Sequence, residues 1–151
     1  MQITSSAFTD GKIIPTRYTC SGADVSPALA WSDAPVGTAS FALIADDPDA
    51  PRGTWVHWVI YNIPAGTTIL AENVPKDKTL SDGSAQGQND FQRFGYGGPC
   101  PPPGKPHRYF FTLYALDIRL NLSSGATKAA VEAAMAGHIL AQAQVMGTFA
   151  R

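Results

Sequence analysis

Two short stretches of this chain hold the side chains with which it could do chemistry. Asp47–Asn62, DPDAPRGTWVHWVIYN, carries Asp47, Asp49 and His57, and Gly95–Asp117, GYGGPCPPPGKPHRYFFTLYALD, carries Cys100, His107 and Tyr109. Imidazole nitrogens and a phenol hydroxyl can donate to an anion, and a carboxylate can orient a histidine through its second nitrogen. In Pro99-Cys100-Pro101-Pro102-Pro103 only Cys100 keeps a backbone N–H, a lone main-chain donor facing whatever the histidines face. The same residue types support other chemistries. His57 among Trp55, Trp58 and Val59 reads equally as a core histidine hydrogen-bonded to Asp47. Asp47, Asp49 and the two histidines could ligate a divalent metal, although their spacing matches no compact metal motif. Cys100 with His107 could pair a thiol nucleophile with a base, but a proline-locked loop is no helix N-terminus and gives the thiolate no stabiliser. Gly95–Gly104 lacks the Gly-Lys-Ser/Thr ending of a phosphate-binding loop, which excludes a nucleotide P-loop.

Stiff loops and strands must position these groups. Pro48 and Pro51 fix their own φ and push Asp47 and Ala50 out of the helical region, so the two carboxylates stand on a rigid bracket. Thr54–Tyr61 follows, rich in aromatic and β-branched residues. Period-two alternation puts Trp55, His57, Val59 and Tyr61 on one face and Val56, Trp58 and Ile60 on the other. Both faces are apolar, so the strand is expected to be covered on both sides, with His57 half-buried at its end. On the second strand His107, Tyr109, Phe111 and Leu113 share one face and Arg108, Phe110, Thr112 and Tyr114 the other. Two strands, each delivered by a stiff loop, suggest one polar pocket at one end of a sheet.

The rest of the chain reads as short strands punctuated by 14 Gly and 12 Pro, which favours an all-β sandwich with one or two helical inserts. Ile3–Phe8 and Lys12–Ile14 are expected as a broken edge strand, Ala28–Trp31 and Ser40–Ala45 as strands, and Lys76–Asp90 as surface loop with one helical turn. Alanine-rich Ala126–Ala136 is the expected helix, ended by Gly137, and Ala141–Val145 the last strand. At 151 residues and 44% hydrophobic, the whole of 1–151 is one domain with a core of its own. A net charge of -1 gives no footprint for nucleic acid or an anionic membrane. MQITSSAFTDGK has no signal-peptide pattern and no apolar run approaches about 18 residues, so stable membrane insertion is not expected and a cytoplasmic protein is. In a reducing cytoplasm Cys20 and Cys100 are expected as free thiols.

The pairing of DPDAPRGTWVHWVIYN with GYGGPCPPPGKPHRYFFTLYALD resembles the two signature regions of the phosphatidylethanolamine-binding protein family, in its bacterial and archaeal Raf-kinase-inhibitor-like branch. The likeness extends over nearly the whole chain, through YTCSGADVSPALAW early and GHILAQAQVMGTFAR late. It implies a central antiparallel sheet with a smaller sheet packed beside it, and a pocket that holds phosphate or a phospho-head-group. Residue by residue, Asp47, His57, His107 and Tyr109 match the family's pocket side chains, Trp55 its wall, and Cys100, Pro101 and Pro102 its loop. The resemblance also implies a homodimer. Two departures separate the chain from the animal proteins it resembles: the link Arg52-Gly53-Thr54 is shorter, and the chain reaches Arg151 without their C-terminal helix. Kinase inhibition in the animal style is correspondingly not carried over.

The expected function is non-catalytic binding of a small anion or phosphorylated ligand, with no cofactor and no metal. His57, His107, Tyr109 and the Cys100 N–H donate to phosphate oxygens, and Asp47 orients His57. With no Arg or Lys assigned to the pocket, the bare ion should bind on the order of millimolar. Two rivals use the same residues. One is a hydrolase with the histidines and carboxylates as acid, base or metal ligands. The other is a kinase or protease inhibitor whose docking surface the pocket caps.

Overall fold

Runs of β-branched and aromatic residues become the strands of two sheets. The structure, a computed structural model, describes residues Met1–Arg151. In chain order the elements are β1 (Gln2–Thr4), β2 (Leu29–Ser32), β3 (Ser40–Asp47), β4 (Trp55–Pro64), β5 (Ile69–Leu70), β6 (Ala85–Gln86), β7 (His107–Leu116), helix α1 (Lys128–Met135) and β8 (Ile139–Phe149). A five-stranded sheet runs β6-β4-β3-β7-β8 and a three-stranded one β1-β2-β5, with every pairing antiparallel. This is the expected central sheet with a smaller sheet beside it and one α-helix.

SFALIADD of β3 is buried almost throughout because the sheet is covered on both faces. Towards the small sheet, Phe41, Leu43, Trp58, Ile60, Phe111 and Leu113 pack with Trp31 and Leu29. On the other face, Ala42, Ile44, Val59 and Tyr61 pack against Val131 and Met135 of α1. The helix starts at the Thr127 N-cap, whose side chain accepts from the Ala130 N–H, and stops before Gly137 at φ +82°. It is thus shorter at its start than the expected Ala126–Ala136.

Strict alternation fails in β4. Asp47 pairs with Trp55 and Asp46 with Val56, but Ala45 pairs with Trp58, so β4 carries one extra residue there. This bulge puts Trp58 on the small-sheet side together with His57, whose ring meets Tyr109 edge-on, and leaves Val59 and Tyr61 on the helix side, correcting the expected face. The alternation expected for β7 holds, with Tyr109, Phe111 and Leu113 in the small-sheet core.

Three other expectations change. Phe8 lies outside β1, and residues 10–14 instead run along β8, through Gly11 N–H to Met146 O and Ile14 N–H to Thr148 O. Lys76–Asp90 is not all surface loop: β6 pairs with β4, and Ser84, Gln86 and Asn89 are buried. Gln86 adds side-chain bonds to that pairing, accepting from Trp58 Nε1 and donating to Pro75 O and Asp77 O. Cys20 and Cys100 are bridged rather than free. Their loops meet at one end of the sheet with Cα atoms 5.4 Å apart, and the expectation of free thiols rested on compartment alone. A reducing cytoplasm disfavours such a bridge, so the bridge counts against the compartment from which free thiols were expected; no helix is long and apolar enough to cross a membrane.

Candidate functional site

At the end of the large sheet, where β3 stops and β4 and β7 begin, lies a cavity of about 190 Å³. The structure brings all eight expected residues to its wall: Asp47, Trp55, His57, Cys100, Pro101, Pro102, His107 and Tyr109. Ala50, Pro51 and Phe91 complete it. Ala50 and Pro51 belong to the rigid bracket, whereas Phe91 was not anticipated. Its ring meets Trp55 and His57 edge-on, at 5.5 and 5.4 Å between centroids. Asn89 places it, the side-chain oxygen accepting from the Phe91 and Arg93 N–H groups. An Asn two residues before an aromatic is a turn signal that the sequence offers, but it does not say which way the ring packs.

Asp47 is 3% exposed and engaged through both oxygens. One oxygen accepts from the Asp49 N–H at 2.8 Å, and the other lies 2.7 Å from His107 Nδ1. It therefore orients His107, not His57 as expected. The reason is the sheet order: β7 lies directly beside β3, which brings His107 to Asp47, while the β4 bulge carries His57 towards the 95–102 loop. There His57 Nδ1 sits 2.7 Å from the Gly97 carbonyl, and the Gly97 N–H returns a bond to the His57 carbonyl at 2.9 Å. A carbonyl only accepts, so His57 Nδ1 carries the proton. In both histidines Nε2 is then the ring nitrogen left for a ligand.

Burial lowers the His57 pKa below the ordinary histidine value, outweighing the Gly97 carbonyl and the Asp47 charge that raise it. The ring is therefore neutral at neutral pH. Tyr109 lies edge-on to it at 5.2 Å and is 2% exposed; its hydroxyl is near the Asp47 carboxylate but makes no hydrogen bond within 3.5 Å. Burial first, and then the Asp47 carboxylate, hold that hydroxyl protonated, well above the usual tyrosine pKa. It is a permanent donor. The second carboxylate of the bracket faces elsewhere: Asp49 takes Arg108 Nε and Nη2 at 2.9 Å each, plus the Arg108 N–H. The Arg108 guanidinium pulls the Asp49 pKa down to about 2.

The proline loop is held by more than its prolines. Cys20 N–H donates to Pro99 O, Gly98 N–H to an Asp24 carboxylate oxygen at 2.7 Å, and the Tyr96 hydroxyl to Tyr18 O at 2.6 Å. The disulfide then fixes Cys100 in the wall and withdraws its sulfur as a free thiol nucleophile. The Cys100 N–H donates to no protein acceptor, consistent with the lone donor read from the prolines. No group of three or more His, Cys, Asp or Glu is arranged to hold a metal ion. The residues of the wall thus carry one buried hydroxyl, two ring nitrogens and a main-chain N–H that the protein leaves without a hydrogen bond, among aromatic and proline side chains.

The model of a family described as phosphatidylethanolamine-binding protein matches residues 4–150. Over 151 residues the chain is 53% identical to the UPF0098 protein of Methanothermobacter thermautotrophicus, covering 100% of this chain and 99% of that one. It is 52% identical over 153 residues to the UPF0098 protein of Aquifex aeolicus, covering 100% and 89%. A phosphatidylethanolamine-binding protein homologue from Chlamydia trachomatis superposes with a TM-score of 0.91 at 41% identity, covering 99% of this chain and 97% of the other. Escherichia coli YbcL, described as a new member of the mammalian family of that name, does so at 0.93 and 38% identity, covering 99% and 98%.

Proposed function

The chain belongs to the phosphatidylethanolamine-binding protein family, and from that premise we propose that its cavity binds the phosphate of a phosphorylated small molecule, head-group or protein side chain, without catalysing its reaction. The observation that carries this reading is the Tyr109 hydroxyl, a buried donor in the cavity wall that makes no hydrogen bond within 3.5 Å, its nearest acceptor being the Asp47 carboxylate that His107 and the Asp49 N–H already use. Buried donors are nearly always satisfied, and a ligand oxygen would satisfy this one. The Nε2 atoms of His57 and His107 and the Cys100 N–H supply the further donors that a tetrahedral anion needs; since each ring already carries a proton on Nδ1, each must be doubly protonated in the complex to donate from Nε2.

Size supports a head-group rather than a whole large ligand, since about 190 Å³ is below the roughly 300 Å³ at which drug-sized pockets begin. Trp55, 38% exposed, and Phe91 then flank whatever is attached to the phosphate. Affinity beyond the weak binding of the bare ion comes from that attached part. A partner carrying the phosphate on a side chain would compete for the same cavity with a free phosphorylated metabolite, which is how occupancy would regulate it.

Titration of inorganic phosphate into isotopically labelled protein tests the reading. The ring signals of His57 and His107 and the Cys100 amide should move together with one millimolar-range dissociation constant. Shifts scattered over the surface would remove the site, and turnover of p-nitrophenyl phosphate abolished by His107→Gln would replace binding with catalysis.

A further inference from the structure

The inference rests on the phosphate reading of the cavity and concerns its charge. The cavity wall contains the Asp47 carboxylate and no Arg or Lys, an unfavourable balance for an anion. Arg108, adjacent to His107, cannot correct it. It lies on the opposite face of β7, and Asp49 occupies both Nε and Nη2. A different cation reaches this end of the sheet. In the register of β7 with β8, His107 is opposite Phe149, so the two residues after Phe149 continue past the strand end that carries His107. Arg151 Nε donates to the Pro101 carbonyl at 2.6 Å, and Pro101 is itself in the cavity wall. A second tie, from the Gly104 N–H to the Arg151 carbonyl at 3.4 Å, holds the backbone to the same loop.

We propose that Arg151 is the cationic binding residue of the cavity mouth, held by Pro101 so that its terminal guanidinium nitrogens meet a phosphate oxygen. A guanidinium has five N–H donors in a planar fork. One is used by Pro101, and Arg151 forms no salt bridge with any carboxylate. The remaining fork matches two phosphate oxygens, a geometry that a lysine cannot reproduce. Its charge also acts weakly on the Tyr109 hydroxyl, lowering a pKa that burial and Asp47 raise. Tyr109 and the histidines would then recognise the tetrahedral head, and Arg151 its charge. The ligand class follows: a phosphate monoester or free phosphate as dianion, preferred over a monoanionic head of the same shape.

The experiment compares phosphate and methanesulfonate binding by the full chain and by Arg151→Gln, Arg151→Lys and Arg119→Gln, at pH 7.5 and two salt concentrations. Arg119 lies exposed beyond the opposite end of β7 and controls for net charge. Arg151→Gln should weaken phosphate binding about tenfold, weaken methanesulfonate binding less, and flatten the salt dependence. Arg151→Lys should fall between, and Arg119→Gln should match the unaltered chain. Equal losses for both anions would mean that Arg151 only positions the Pro101 loop, and equal losses in Arg119→Gln would mean a general charge effect; either overturns the assignment. If the unaltered chain moves His57, His107 and Cys100 with phosphate but Arg151→Gln binds as well, Arg151 is excluded and the phosphate site stands. If the unaltered chain shows no such shifts, the phosphate site itself falls and the assignment with it.

Discussion

Leaving a hydroxyl buried without a partner destabilises a fold by about 1–3 kcal/mol, and Tyr109 carries such a group in the cavity wall. If the group is kept for a ligand, its removal should separate stability from binding. Tyr109→Phe is expected to unfold in urea at a concentration no lower than the unaltered chain, while phosphate binds about three- to tenfold more weakly. A variant that loses stability and keeps its affinity would make the hydroxyl a structural group. His57 makes a second residue-scale prediction, with a definite sign. Burial lowers its folded pKa, so near the ordinary value of about 6.5 the unfolded chain binds a proton that folded His57 does not. Its contribution to stability is therefore fully present above that value and is lost as pH falls from it towards the lower folded value. Asp49 acts in a separate window, because its pKa falls from 3.8 to about 2: its contribution is present above 3.8 and is lost as pH drops towards 2. Urea unfolding between pH 8 and 5 should show a decline that His57→Gln flattens and Asp49→Asn does not. An unchanged decline in His57→Gln would contradict the buried neutral ring.

The 95–102 loop determines where the Cys100 N–H and the His57 ring stand, and its position depends on close backbone approach at Gly98. A Cβ on Gly98 would lie 2.3 Å from Tyr18 O and 2.5 Å from an Asp24 carboxylate oxygen. The first neighbour is main chain held by the Tyr96 hydroxyl, so it cannot swing aside. Gly98→Ala should therefore cost about 1–3 kcal/mol of stability and weaken phosphate binding, read from urea unfolding and the phosphate titration. A variant as stable as the unaltered chain would show that this loop is not held as described. The strands of this site were legible in the sequence because their signal is local: aromatic and β-branched runs behind prolines gave β4 and β7, and alternation placed His107 with Tyr109. The partner of Asp47 was not. Period-two counting has no term for an extra residue, so the bulge at His57 stayed invisible until Ala45 was seen opposite Trp58. Gln86 and Asn89 misled for a related reason. Their polar side chains look solvent-facing in sequence, yet they are buried because they satisfy Trp58 Nε1 and the loop main chain.

Across the whole molecule, the cavity lies where separate parts of the chain are tied to one end of the large sheet. The Cys20–Cys100 bridge spans a separation of 80 residues and binds the loop after the first turn of the chain to the cavity wall. Loop-closure entropy for such a span is worth roughly 4.5 kcal/mol, and it falls on the element that presents the Cys100 donor. The site is thus built into the cross-linked end of the fold, and anion binding there must draw from solution the proton that burial withholds from His57. Sulfate, whose charge stays fixed across neutral pH, isolates that proton. The most direct measurement is calorimetric titration of sulfate in buffers of different ionisation heat, from pH 8 to pH 6. Saturable binding is expected, with net proton uptake at the upper end of that range and an affinity that rises as pH falls, both diminished in His57→Gln. No saturable binding, or binding whose heat is independent of the buffer and whose affinity is flat or rises with pH, would contradict it.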